Sequence, residues 1–141
     1  TTAVVTGANS GLGLEVTREL ARCGAAVTLA CRSEAKATDA IAMLRRDGIT
    51  APLEFLQPDL ADLASVASAA AAVRDGGGPL HLLVNNAGLM AIDHATTVAG
   101  FEMPLGVNPL AHFALAAELL SVLDATPGAR IATMAALLRP S

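Results

Sequence analysis

The stretch Thr6-Gly7-Ala8-Asn9-Ser10-Gly11-Leu12-Gly13 places glycines at 7, 11 and 13 directly after the apolar run Ala3-Val4-Val5. Such spacing permits a tight turn, brings backbone close to a pyrophosphate, and lets a helix pack hard against a strand. The helix that follows would offer the free N–H groups and partial positive charge of its N-terminus to an anion. A cluster used only for turning is the alternative, and the position right after a first strand argues against it. A second group, Asn85-Asn86-Ala87-Gly88, also closes an apolar run, and a third, Cys31-Arg32, ends another. Where a second strand of a dinucleotide-binding fold ends, an acid accepts from the 2′-hydroxyl of NAD and an Arg accommodates the 2′-phosphate of NADP. Cys31 is a poor acceptor and Arg32 follows it, which predicts NADP(H) over NAD(H), with Ser10 and Lys36 as helpers. A solvated surface arginine is the competing reading of Arg32.

The elements that must position these residues alternate between short β-like runs and longer helical ones. Strands are expected over Ala3–Thr6, Ala26–Cys31, Leu53–Gln57, Leu80–Val84 and Arg130–Met134. Between them fall helices from about Gly11 to Cys23, from the Ser33 cap to about Asp47, from the Asp62 cap to about Arg74, and from about Phe101 to Leu123. Leu12, Val16 and Leu20 lie one helical turn apart and predict the buried face of the first helix. Gly24 and Gly48 are natural stops, and Gly76-Gly77-Gly78-Pro79 is a break. The long helix is expected to be interrupted near Pro104 and Pro109, and a mobile loop is expected over Met90–Thr96. Alternation of this kind implies βαβ units and an α/β fold, a doubly wound parallel sheet in the order 3-2-1-4-5. There is no internal repeat, and 141 residues predict one domain.

In order along the chain, T-G-A-N-S-G-L-G, Ala30-Cys31-Arg32, Asp59-Leu60, Asn85-Asn86-Ala87-Gly88 and Val107-Asn108 resemble the short-chain dehydrogenase/reductase family, especially its retinol-dehydrogenase-like group. The resemblance covers essentially the whole chain and implies a Rossmann fold. It implies that Gly7, Asn9, Ser10, Gly11, Leu12 and Gly13 hold the cofactor's phosphates. It also implies that Asp59 bonds the adenine amino group, that Leu60 supplies backbone contact there, and that Asn86, Ala87 and Gly88 line the nicotinamide ribose. A strand-end cap is the alternative for Asp59, and Asn85 is expected to brace loops.

Such relatives transfer a hydride to or from a carbonyl carbon. A Tyr acts as general acid/base beside a Lys, a Ser orients the carbonyl, and an Asn supports a proton-relay water. Asn108 matches that Asn, in V-N-P-L-A-H-F where relatives have V-N-H-L-G-H-F, with a purely structural role as the alternative. Pro109 is expected to alter the bend that presents it. Arg130-Ile131-Ala132-Thr133-Met134-Ala135-Ala136 aligns with R-[IV]-V-x-V-S-S, so Ala136 occupies the carbonyl-orienting position and donates no hydrogen bond. The chain contains no tyrosine, and Tyr-x-x-x-Lys would fall after Ser141. The expected function is therefore an NADP(H)-dependent oxidoreductase acting on an alcohol or carbonyl, present as its cofactor-binding portion. The alternative is a catalytically inactive truncated dinucleotide-binding module. A methyltransferase using S-adenosylmethionine fits poorly, because it wants an acid after the second strand and has no place for N-N-A-G.

Composition narrows the remaining classes. The residues are 53% hydrophobic and 16% charged, too apolar for disorder. A net charge of −4 and a pI near 5.2 give no footprint for nucleic acid. No uninterrupted apolar run approaches the roughly 20 residues of a membrane span. With no leader visible, a cytoplasmic protein without a membrane partner is expected. Cys23 and Cys31 are expected to be two buried reduced thiols. His81, His94 and His112 are scattered without a companion triad, so no metal is expected. One side of the 110–123 helix is expected in the core. The other resembles the side relatives use to dimerise, so a homo-oligomer is expected. An apolar patch and a bare sheet edge beside the fifth strand predict poor solubility of the isolated chain.

Overall fold

The computed structural model describes residues 1–90 and 94–135. Five parallel strands, β1 (Thr2–Thr6), β2 (Ala26–Ala30), β3 (Leu53–Leu56), β4 (Leu82–Asn85) and β5 (Arg130–Thr133), form one sheet in the order β3-β2-β1-β4-β5. Helices α1 (Gly11–Arg22) and α2 (Glu34–Arg46) cover one face, while α3 (Leu63–Asp75) and α5 (Ala111–Ala125) cover the other, with the short α4 (Met103–Leu105) leading into α5. The central strand therefore alternates between two cores. Val5 packs with Val27, Leu29, Val84 and Leu44 on the first face, and Val4 with Leu83, Val66, Leu115 and Leu119 on the second. A strand buried on both faces reads as a continuous apolar run, which is how β1 reads.

Local chemistry sets the element ends. The Ser33 hydroxyl accepts from the Lys36 amide at 3.3 Å to open α2, and an Asp62 carboxylate oxygen accepts from the Ala64 amide at 3.0 Å to open α3. Several expected boundaries shift by a residue or two. Leu80 is buried but lies outside the ladder, because its N–H donates to the Thr126 hydroxyl, and β4 begins at Leu82. β3 ends at Leu56, and the fourth helical stretch begins at Met103. Of the loop expected over 90–96, residues 91–93 lie outside the described residues. The adjoining segment turns back on itself, with Thr96 bridging Glu102 and the Met103 amide donating to the Ala95 carbonyl.

The expected buried face of α1 is a correction. Leu12 is 66% exposed, and Val16 and Leu20 are only partly buried; the inward side is Gly13, Leu14, Thr17 and Ala21. At Gly13 the helix sits against the glycine loop, where a side chain would overlap the Gly7 carbonyl, while Leu14 packs into the core. Cys23 is exposed, just past the last turn of α1, so only Cys31 is the buried thiol that was expected.

The stretch Met103–Ala125 is long and apolar enough, by length and composition alone, to cross a membrane. Counting uninterrupted runs overlooked it, because His112, Glu118 and Asp124 break the runs without removing the overall apolarity. In this fold it lies on the sheet, burying Ala111, His112, Leu115, Leu119 and Leu123.

Candidate functional site

A cavity of 330 Å³ opens at the carboxyl ends of the strands, where β1 and β4 diverge in the strand order. Gly7 and Asn9 form one wall and Cys31 and Arg32 the next. Asp59 and Leu60 line a third side, and Ala87, Gly88 and Leu89 close it toward Met103 and Val107. Seven residues expected to meet a cofactor (Gly7, Asn9, Arg32, Asp59, Leu60, Ala87, Gly88) thus come together from four separate segments. Ser10, Gly11, Leu12, Gly13 and Asn86 stand behind or beside this lining rather than in it. Lys36 does not line the cavity either and sits on the first turn of α2.

The glycine loop is shaped by what it cannot accommodate. Gly7 has φ of 65°, in the left-handed region, and a Cβ there would come within 3.0 Å of the Ala87 Cα. A Cβ on Gly13 would overlap the Gly7 carbonyl and crowd the Asn86 side-chain nitrogen. Close approach of α1 to the loop and to Asn86 therefore requires glycine at 13. Ser10 precedes α1 in extended conformation and makes no side-chain cap bond. The first-turn amides of α1 are left without a side-chain acceptor, the arrangement an anion fits.

The far end of the loop is held by Thr6, a residue passed over when the motif was read for its glycines. Its buried hydroxyl accepts from the amides of Asn86 at 2.9 Å and Ala87 at 3.0 Å, and lies 2.8 Å from His112 Nε2. The Asn86 side chain donates to the Thr6 carbonyl at 3.0 Å, so Asn86 serves the loop from behind. Asn85, expected to brace loops, reaches β5 instead, its Nδ2 donating to the Thr133 hydroxyl at 3.4 Å, while its buried Oδ1 finds no partner among the described residues.

Asn108 lies in a π turn, Gly106–Leu110, between α4 and α5. Pro109 causes it. A proline ring collides with the carbonyl four residues back and offers no N–H, so the helix widens and the Ala111 amide donates to the Gly106 carbonyl instead. The Asn108 carboxamide is committed to Leu89, accepting from its amide at 2.8 Å and donating to its carbonyl at 2.9 Å. It anchors the loop after β4 to the helix.

At the second-strand end, Arg32 is exposed and forms no ion pair among the described residues, while its carbonyl accepts from Gln57 Nε2 at 3.0 Å. Burial pushes the Cys31 thiol above its ordinary range, so it enters the wall as an uncharged group. Among the described residues, no acidic side chain joins Cys31 and Arg32 on that wall. Asp59 spends Oδ1 on the Ala61 amide at 3.0 Å, a turn-forming contact, and its own amide donates to Ser65 Oγ. No metal-type cluster of His, Cys, Asp or Glu occurs among the described residues. Ala136, expected at the carbonyl-orienting position, and Ser141 lie outside the described residues.

The profile of a family described as short chain dehydrogenase matches residues 1–138. Polyprenol dehydrogenase of Mus musculus is 43% identical over 136 residues, covering 94% of this chain and 41% of that protein. Retinol dehydrogenase 13 of Homo sapiens is 40% identical, covering 96% of this chain and 41% of its own length. The chain thus spans about two-fifths of the length of these curated relatives. Among solved structures, a metagenomic short-chain oxidoreductase in complex with NADP superposes with a TM-score of 0.85 at 27% identity, covering 100% of this chain and 65% of that one. An alcohol dehydrogenase from Thermococcus sibiricus, complexed with 5-hydroxy-NADP, gives 0.80 at 26% identity, covering 94% of this chain and 57% of that one. With the match running nearly end to end and the cavity formed by the same segments that carry the sequence motifs, the chain belongs to the short-chain dehydrogenase/reductase family of oxidoreductases, as a retinol-dehydrogenase-like member.

Proposed function

We propose that this chain is the cofactor-binding portion of an NADP(H)-dependent oxidoreductase acting on an alcohol or carbonyl. The observation that carries the reading is the wall at the end of β2, where Arg32 stands beside an uncharged Cys31 and, among the described residues, no carboxylate stands on that wall to accept from a 2′-hydroxyl. The residues present fit the dinucleotide. The loop at 7–13 has no room for side chains at Gly7 and Gly13, and the opening of α1 has no side-chain cap. Gly7, Asn9, Gly11, Leu12, Gly13 and the backbone around Ser10 would hold the phosphates, Arg32 the 2′-phosphate, and Asp59 and Leu60 the adenine. Asn86, Ala87 and Gly88 would flank the nicotinamide ribose. Bound there, the nicotinamide supplies or accepts the hydride. The NADP-complexed solved neighbours support the choice of cofactor.

Titration with NADPH and NADH, followed by the fluorescence of the reduced nicotinamide, tests the assignment. NADPH is expected to bind more tightly, and equal or tighter NADH binding overturns it. A charge-assisted bond contributes about 1.5–3 kcal/mol, so Arg32→Ala is expected to weaken NADPH by about ten- to a hundredfold while leaving NADH nearly unchanged.

A second reading, a dinucleotide-binding module without turnover, is favoured by Ala135-Ala136 standing where the family pattern carries two serines. A methyl group donates no hydrogen bond to a carbonyl oxygen. NADPH consumption with a panel of aldehydes and ketones, measured on the full-length protein that carries this segment, separates the two readings. Binding without consumption selects the second.

A further inference from the structure

We infer that His112, as a neutral imidazole with its proton on Nδ1, is a positioning residue that fixes the Asn86–Ala87 backbone through the Thr6 hydroxyl. The deduction rests on counting protons. A hydroxyl has one hydrogen to give and two lone pairs to receive. The amides of Asn86 and Ala87 can only donate, and both donate to Thr6 Oγ1, which fills its lone pairs. The remaining partner, His112 Nε2 at 2.8 Å, must then accept the hydroxyl proton, the other acceptor in reach being the Val84 carbonyl at 3.4 Å. A ring carrying hydrogen on Nε2 would meet an oxygen with nothing left to offer. The proton of the neutral ring therefore sits on Nδ1, which donates to the Asn108 carbonyl at 2.7 Å.

His112 is thereby tied at both ring nitrogens, and each tie leads to the cavity. Through Thr6 it orients the two amides that set where Ala87 lies on the wall. Through Asn108 it holds the residue whose carboxamide clamps Leu89, the next stretch of the same wall. The ring is buried, and burial lowers its affinity for a second proton, in keeping with a neutral acceptor at Nε2. The role in cofactor binding rests on the dinucleotide reading above, whereas the tautomer and the loop geometry do not.

The experiment has two independent arms, both on the full chain. Two-bond ¹H–¹⁵N correlation of the ring is expected to show a pyrrole-type Nδ1 and a pyridine-type Nε2; the opposite tautomer, or rapid averaging of the two, overturns the inference. In backbone ¹H–¹⁵N spectra, His112→Leu is expected to displace the Asn86, Ala87 and Leu89 amide resonances. His112→Gln, whose side-chain oxygen can accept from Thr6, is expected to restore the first two. Unmoved Asn86 and Ala87 resonances in H112L overturn the inference. NADPH titration is expected to show about a tenfold loss for H112L, the scale of one buried hydroxyl left without its acceptor, and recovery for H112Q. The double variant Thr6→Val/His112→Leu is expected to lose less than the sum of the two single changes, because the two share the Thr6 hydroxyl. Wild-type chain that binds neither NADPH nor NADH, yet shows the expected spectra, refutes the cofactor reading and leaves the positioning role standing. Undiminished NADPH binding by H112L refutes the positioning role in binding and leaves the cofactor reading standing.

Discussion

Gly13 and Thr6 act on the same few ångströms of backbone, one by having no side chain and the other by having a hydroxyl. A methyl at 13 has nowhere to go except into the Gly7 carbonyl, so Gly13→Ala is expected to cost about 1–3 kcal/mol, read as a lower urea midpoint at unchanged slope. The two cysteines should separate cleanly. Brief iodoacetamide treatment of the native chain is expected to add a single adduct at exposed Cys23, while Cys31, buried and held as a thiol, stays unmodified until unfolding. His112 gives a pH signature. Its folded-state value lies below the ordinary value near 6.5, so the unfolded chain takes up a proton first as pH falls. The stability tied to its neutral ring is whole above about 6.5 and declines as pH drops toward the folded-state value, and H112Q should flatten that part of a pH–stability curve. The glycines were legible in the sequence because their spacing is local. Thr6 and His112 were not, since a threonine ending a strand and a histidine within a helix carry no mark until β1, β4 and α5 come together.

At the scale of elements, strand order followed from the alternation of patterns, and the aspartate and serine caps fell where the sequence placed them. The inward side of α1 did not follow. Apolar periodicity finds large side chains and passes over Gly13, Thr17 and Ala21, so the stripe at Leu12, Val16 and Leu20 is offset from the most buried side: Val16 and Leu20 pack at the core's margin and Leu12 is exposed. Neighbouring leucines on α5 test which side of that helix bears load. Leu119 is fully buried and Leu120 is 59% exposed. Leu119→Ala is expected to cost about 2–5 kcal/mol and Leu120→Ala no more than about 0.5, by chemical denaturation of each variant. Pro109 signalled an interruption in the sequence; that it would take the form of a wider turn holding Asn108 against Leu89 depends on a loop 19 residues earlier and could not be read from the helix alone.

At the scale of the molecule, two apolar surfaces face outward. Phe113 and Leu120 lie on the outer side of α5, and among the described residues β5 leaves all four of its residues exposed at the sheet edge, Ile131 46% accessible, with Met134 just beyond it at 48%. An unpaired edge of this kind templates further pairing. The 141-residue chain is therefore expected to self-associate in analytical ultracentrifugation, and Ile131→Lys to reduce the associated fraction; a monodisperse monomer at high concentration contradicts this. The bonds at Thr6 carry a last consequence, one of timing. Its partners at Asn86, Ala87 and His112 lie 80, 81 and 106 residues further along. A nascent chain can lay down its first strand, the glycine loop and the first helix early, yet the loop has no fixed shape until residue 112 arrives. Contacts closing so long a span form late and slowly. Affinity for a dinucleotide should thus appear abruptly near the end of folding, rather than accumulating with each βαβ unit.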